Sequence, residues 1–188
     1  EIDWDSKVTE LNSKTIDCIW NGMTATDELK NQINFSSAYM NNSQVAVIRK
    51  ADAAKYKDLA SMSGAKVVAE AGSAGEIAVK ADAGLSKSYL PVKDHGTSLM
   101  EVKSKTADIA IIDAVTAAGS IGEGSDYDDL MIVDVISSAD SEVYAVGIRK
   151  SDTELTAKIN AAIKELYDDG TLAKLAEKYN LSGRVIAQ

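Results

Sequence analysis

Apolar positions along the chain alternate between short strand-like runs and stripes with helical spacing. Runs rich in β-branched and small apolar residues predict strands at 16–20, 44–50, 66–69, 109–112, 130–136 and 144–150. Helical spacing predicts helices over 4–11, 75–83 and 98–103, and a C-terminal pair that begins after Asp152 and divides at Gly170. In the last helix we expect Leu172, Leu175 and Tyr179 to face inward. Alternating strands and helices predict an α/β protein with a mostly parallel sheet.

One short pattern occurs twice. Residues 11–19 read LNSKTIDCI and residues 102–110 read VKSKTADIA, so Ser-Lys-Thr-x-Asp recurs at an offset of 91 positions (104 − 13). Each copy lies between a predicted helix and a predicted strand. The strands QVAVIRK at 44–50 and YAVGIRK at 144–150 also end alike. Two copies favour two equivalent α/β units rather than a solenoid.

The composition limits the partners and cofactors of the chain. Its 188 residues include 29 acidic and 20 basic side chains, which gives a net charge of −9 and argues against nucleic-acid or anionic-membrane partners. One cysteine and one histidine exclude an internal disulfide framework and the common zinc clusters, so no metal or cofactor is expected. Since these residues contain no apolar stretch of about 20 residues, we expect neither a membrane-spanning helix nor a signal peptide within them.

Three polar phrases follow predicted strands, where α/β sheets bind ligands. The first is NGMTATDE at 21–28, in which Gly22 permits close backbone approach and Thr24 and Thr26 offer hydroxyl groups. The alternative interpretation is an ordinary strand-to-helix turn with a capping threonine, and on these residues alone it is favoured.

The second phrase is AGSAGE at 71–76, which opens a predicted helix at Ser73. Free N–H groups and the positive end of the helix dipole suit a carboxylate or phosphate, although an ordinary N-cap explains the phrase equally well. The third is Asp113, which follows four apolar residues and suits an ammonium group. It could also cap the next helix, and the two roles could coexist. The single histidine, His95, is interpreted as a surface-loop residue.

Taken in order, these phrases resemble the extracytoplasmic solute-binding proteins of polar amino-acid ABC transporters. The matching stretches are IDCIWNGMTATDELKNQINFSSAYMNNSQVAV, VVAEAGSAGEIAV, TADIAIIDA and INAAIKELYDDGTLAKLAEKY. The resemblance implies a two-lobed, periplasmic-binding-protein-like clamshell with two hinge strands. The first lobe would then comprise 1–47 and 145–188, and the second 48–144.

The resemblance also implies seven ligand-binding residues and no catalytic ones. A first-lobe loop that meets the backbone groups of the amino acid would contain Asn21, Gly22 and Thr24. A helix start that holds its α-carboxylate would contain Ser73 and Ala74. Asp113 would pair with its α-ammonium group, and Glu70 would tune the side-chain preference. The implied partners are a polar amino acid and an ABC permease, and the implied location is extracytoplasmic.

Two departures from the family pattern alter these expectations. Leu29 occupies the position of an arginine that grips the ligand carboxylate, and neighbouring Lys30 points elsewhere on a helix. The resemblance also implies a leading strand-helix-strand segment that has no counterpart in these residues, so we expect an incomplete first lobe and a homo-oligomer or a domain-swapped dimer.

Three functions therefore stay open. The first is a truncated solute-binding protein with altered or weakened ligand binding. The second is a binding-incompetent relative that acts as an oligomeric or domain-swapped scaffold. The third, and weakest, is a small lyase or dehydratase on the same fold, for which Asp113 and Glu70 are the visible candidate acids.

Overall fold

The structure, a computed structural model, describes residues 2–136 and 142–188, so residues 137–141 of the expected second lobe lie outside it. Within these ranges the strands are β1 (Cys18–Ile19), β2 (Asn34–Phe35), β3 (Met40–Asn42), β4 (Gln44–Arg49), β5 (Val67–Glu70), β6 (Tyr89–Val92), β7 (Ile109–Asp113), β8 (Leu130–Val135), β9 (Glu142–Tyr144) and β10 (Gly147–Ile148). The helices are α1 (Lys7–Asn12), α2 (Asp27–Lys30), α3 (Ala74–Ala81), α4 (His95–Lys103), α5 (Ala114–Ser120), α6 (Thr153–Asp168) and α7 (Thr171–Lys178).

The chain divides into two compact units. Unit 1 contains residues 6–42 and the C-terminal part from residue 142, and unit 2 contains residues 43–136 together with Asp3–Asp5. The two copies of the Ser-Lys-Thr-x-Asp pattern fall in different units, as two equivalent α/β units require.

Unit 2 is built on a five-stranded sheet with the order β6-β5-β7-β4-β8. Strand β5 pairs parallel with β6 and β7, whereas β4 pairs antiparallel with β7 and β8. The expectation of a mostly parallel sheet is therefore wrong for half of these pairings. An apolar run predicts a buried strand but carries no information on its direction, and β4 and β8 form an antiparallel pair where the chain enters and leaves this unit.

The core of unit 2 lies on both faces of this sheet. Along β4, Val45 and Val47 pack in one cluster with Leu99 of α4, while Ala46 and Ile48 pack on the opposite face. Alternate residues of a strand point to opposite faces, so a continuous apolar run is what a strand covered on both sides needs.

Unit 1 holds smaller sheets and the C-terminal helices. Strand β10 lies between β1 and β2, and β3 pairs with β9, all antiparallel. A core cluster of Val146, Ile148 and Ile163 takes up Leu172 of α7 at its margin. The expectation that Leu175 and Tyr179 also face inward is wrong, because they are 47% and 60% exposed. Helix α7 contacts its neighbours along a narrower stripe than its apolar spacing indicates.

The repeated pattern has a common structural cause in the two units, an arginine at the end of a strand. In unit 2, Nη1 of Arg49 donates to the carbonyl oxygens of Val102 and Ala107, each at 2.7 Å, and Nη2 lies 3.3 Å from Asp108. Nε also donates to Asp52 at 2.6 Å. The guanidinium group therefore fixes the turn that carries the Ser-Lys-Thr-x-Asp pattern.

Arg149 repeats this arrangement in unit 1. Its Nη1 donates to the carbonyl oxygens of Leu11 and Ile16, at 3.0 and 2.6 Å, and its Nη2 lies 3.4 Å from Asp17. These three residues are offset by 91 positions from the partners of Arg49. The lysine in each pattern has a left-handed backbone, with φ of 65° in the first copy and 68° in the second.

Candidate functional site

Three parallel strands of unit 2 bring titratable side chains to one edge of its sheet. Glu70 is the last residue of β5, and Asp113 is the last residue of β7. His95 starts α4, shortly after β6 ends. Because β5 pairs parallel with both neighbours, the carboxyl ends of all three strands lie at the same edge. We call Glu70, His95, Asp113 and the adjoining Gln44 the acidic edge.

Asp113 is a buried residue, with 8% of its surface exposed. It stands at the N-cap position of α5, yet its side chain makes no capping hydrogen bond. Instead, Gln44 Nε2 donates to Asp113 Oδ1 at 2.6 Å, since the register of β4 and β7 pairs these two residues. The structure therefore favours a carboxylate that faces the acidic edge over the helix-cap alternative.

His95 does not lie in a surface loop, and that interpretation was wrong. Its Nδ1 is 3.3 Å from Glu70 Oε2 and its Nε2 is 3.4 Å from Asp113 Oδ2, with only 17% of the imidazole exposed. Burial lowers the pKa of His95, but the hydrogen bond and charge of Asp113, together with Glu70 and Asp94, outweigh it and raise the pKa above its ordinary value. The imidazolium form is thus favoured between two carboxylates.

The helix start at Ser73 is held in place by its own hydrogen bonds. The amide of Glu76 donates to Ser73 Oγ at 3.1 Å, and the amide of Gly72 donates to the Glu76 carboxylate at 2.9 Å. Ser73 is therefore the N-cap of α3, with Ala74 as the first helical residue. A Cβ at Gly75 would lie 2.9 Å from the carbonyl oxygen of Ile111, so only glycine allows α3 to pack this closely on β7.

The first-lobe residues of the sequence prediction lie in unit 1, in the loop after β1. Gly22 has a φ of +58°, and a Cβ there would meet the Tyr144 ring at 3.3 Å, so the position suits glycine on both counts. Thr24 pairs with Tyr144 in an isolated antiparallel bridge, and Asn21 is exposed. The structure thus orders this loop against β9 within unit 1.

Helix α2 follows this loop. The threonine that caps it is Thr26, which accepts a hydrogen bond from the Leu29 amide at 3.3 Å. Lys30 pairs with exposed Asp27 at 2.8 Å, so its ammonium group already has a carboxylate partner on its own helix. Leu29 leaves α2 without an arginine at this position.

Sequence reasoning missed Gln44 and misjudged His95. Gln44 is the one polar residue among the first five of β4, and it is fully buried, which signals a specific hydrogen-bond partner. Asp94 caps α4 by accepting from the Thr97 amide at 2.6 Å, and this Asp-x-x-Thr spacing places the helix start three residues earlier than predicted. That shift moves His95 from a loop to the carboxyl end of β6.

Comparison with known proteins assigns this chain to a family. The family profile described as bacterial extracellular solute-binding proteins, family 3, matches residues 1–182. The chain is 33% identical to the arginine-binding extracellular protein ArtP of Bacillus subtilis over 183 residues, which are 95% of this chain and 69% of ArtP.

Solved structures give the same result for the fold. The P235GK mutant of ArgBP from T. maritima superposes with a TM-score of 0.85 at 31% identity, covering 95% of this chain and 75% of that one. A substrate-binding protein of an ABC uptake transporter from Streptococcus pneumoniae, solved with bound histidine, gives 0.82 at 34% identity, covering 95% and 73%. Within the described ranges, no helix combines the length and apolar character that crossing a membrane requires.

Proposed function

Because the chain belongs to the bacterial extracellular solute-binding proteins of family 3, we propose that it binds a basic amino acid outside the cytoplasm and delivers it to an ABC permease. Its relatives and structural neighbours are binding proteins rather than enzymes, so the lyase alternative is dropped. We further infer that unit 1 and unit 2 are the two lobes of the family fold.

The observation that carries the proposal is the side chain of Asp113. It is buried, it makes no capping hydrogen bond to α5, and the amide group of Gln44 donates a hydrogen bond to one of its oxygens. A fixed, enclosed carboxylate at the edge of an α/β sheet suits an ammonium group through charge-assisted hydrogen bonds. In this proposal Asp113 receives the α-ammonium group of the ligand.

A second carboxylate supports a basic ligand. Glu70 lies on the other side of His95 from Asp113, and its side chain is 12% exposed. Two carboxylates at one edge favour a ligand with two positive groups, as arginine has. The relatives named above are an arginine-binding protein and a protein solved with bound histidine, which agrees with a basic ligand.

The α-carboxylate of the ligand is assigned to the start of α3, where Ser73 and Ala74 lie, with Asn21, Gly22 and Thr24 meeting its backbone groups. Leu29 weakens this end of the site, because a charged hydrogen-bond pair at the arginine position is missing. Loss of such a pair costs about 2–5 kcal/mol, so we expect weaker binding than in relatives that keep the arginine.

Isothermal titration calorimetry with arginine, histidine, glutamine and glutamate tests the ligand class. We expect arginine to bind most tightly and Asp113→Asn to abolish the heat. Asp128→Asn, in an exposed turn of the same unit, serves as the matched control and should bind as the unaltered chain does. Tighter binding of glutamate than of arginine would refute a basic ligand.

A binding-incompetent scaffold is the second candidate, and Leu29 is the observation that favours it. Leu29→Arg separates the two functions, since it should tighten arginine binding at least tenfold if the rest of the site works. Absence of binding in both proteins, together with a stable oligomer in light scattering, would favour the scaffold. Self-association itself stays a prediction.

A further inference from the structure

The imidazole of His95 occupies the position between the two carboxylates that the proposed function assigns to the ligand. Its two ring nitrogens lie 3.3 Å from Glu70 and 3.4 Å from Asp113. One side chain therefore contacts both anions at once, in the manner of a small organic cation. The Nδ1 atom is buried and its contact with Glu70 lacks hydrogen-bond geometry, so the interaction there is one of charge.

The charged groups that raise the pKa of this imidazole are three carboxylates. Asp113 comes from β7, Glu70 from β5, and Asp94 from the N-cap of its own helix. Strand β4 contributes the uncharged amide of Gln44, which is directed at Asp113. The surroundings therefore favour the imidazolium form, in which His95 neutralises part of the acidic edge.

We propose that protonated His95 is an internal counter-cation that holds Glu70 and Asp113 in the ligand-free protein, and that a cationic group of the ligand replaces it on binding. The inference rests on the proposed function for the identity of the site. It adds a regulatory residue, because the protein must give up its own cation before the ligand can take the carboxylates.

Replacement couples ligand binding to the release of a proton. Once separated from the carboxylates, His95 returns towards its ordinary pKa of about 6.5. Between that value and the raised pKa of the ligand-free protein, binding releases a proton, so affinity increases with pH. Below and above this window affinity is constant. The ratio of the two limiting dissociation constants equals ten raised to the difference between the free and ligand-bound pKa values.

Because the sequence contains one histidine, NMR titration of its imidazole signals reads this group without ambiguity. In ligand-free protein we expect a pKa above 6.5, and a lower pKa in both Asp113→Asn and Glu70→Gln. Asp128→Asn should leave it unchanged. An unperturbed pKa in the unaltered chain would overturn the proposal whether or not any amino acid binds.

The second experiment measures the dissociation constant of arginine from pH 5.5 to 8.5 in three proteins. The unaltered chain should bind more tightly as pH rises. His95→Asn, which has no cation, should bind at all pH values as tightly as the unaltered chain does at its alkaline limit. His95→Lys, which keeps a permanent cation, should bind at least as weakly as the acid limit, without the pH dependence.

These opposite effects distinguish a counter-cation from a structural residue, since a merely structural role would weaken binding in both variants. A dissociation constant of arginine that still depends on pH in His95→Asn would overturn the proposal. If arginine binds to none of the three proteins at any pH, the proposed ligand class fails, whereas the NMR titration still decides whether His95 is the internal cation.

Discussion

Replacing Arg49 with lysine tests how much one guanidinium group contributes to the stability of unit 2. The three guanidinium nitrogens make four contacts. Nη1 donates to two backbone oxygens, while Nε and Nη2 each contact a carboxylate. A lysine has one nitrogen, so it can keep the pair of backbone oxygens or the carboxylates, but not both. Two partly buried charged contacts are lost, which should cost about 3 kcal/mol.

Hydrogen exchange read by mass spectrometry locates this loss. A cost of about 3 kcal/mol corresponds to roughly hundredfold faster exchange in segments that exchange through opening of unit 2. The amides of Thr106 and Ala107, which donate to the Glu101 carbonyl oxygen, report on the turn itself. We expect them to accelerate in Arg49→Lys.

Arg149→Lys is the matched control, because Arg149 makes the same contacts in unit 1. It should accelerate exchange around residues 11–17 and leave unit 2 unchanged. The effect should be smaller, since Asp17 is 90% exposed whereas the corresponding Asp108 is 28% exposed. Unchanged exchange in Arg49→Lys, or equal acceleration in both units from either variant, would refute the reasoning.

Three further predictions concern stability and are measured by thermal or chemical unfolding. Gly75→Ala should destabilise by about 1–3 kcal/mol because a Cβ there meets a backbone oxygen of β7 at 2.9 Å, whereas Gly119→Ala, in a helix with open space around it, should stabilise by up to about 1 kcal/mol. Because folding raises the pKa of His95, its protonation should add to the free energy of unfolding in full below about pH 6.5. This contribution should disappear as the pH rises through the pKa of the folded protein. His95→Asn should remove this pH dependence of the free energy of unfolding. Ile112→Ala, in the core, should cost about 2–5 kcal/mol, while Leu175→Ala, at 47% exposure, should stay within about 0.5 kcal/mol; equal losses would contradict the assigned burial.

The sequence predicted the buried strands and the long helices because their patterns depend on local spacing. Strand β4 and helix α6 begin at the predicted residues and end within two residues of the predicted bounds. Strand β6 was missed, since Pro91 interrupts a run of only four residues and argues against a strand, although an edge strand such as this one, in which Leu90 is 61% exposed, tolerates it. Strand direction also escaped prediction, because it depends on pairing between distant segments.

The candidate site was predicted in part for the same reason. Glu70, Ser73 and Asp113 follow recognisable strands or open a helix, so their position at a sheet edge could be inferred from order alone. The partnership of Gln44 with Asp113 depends on the register of two strands 69 positions apart, which no local pattern encodes. His95 was misjudged because the edge strand before it was missed.

The antiparallel pairing of β4 with β8 has a consequence for protein engineering. Val45 pairs with Val135, so the first and last strands of unit 2 are hydrogen-bonded neighbours, about 5 Å apart. A segment whose two ends adjoin in this way is an insertion that can be excised or circularly permuted with little strain. Residues 43–136 should therefore fold as a separate small domain in which the acidic edge can be studied alone.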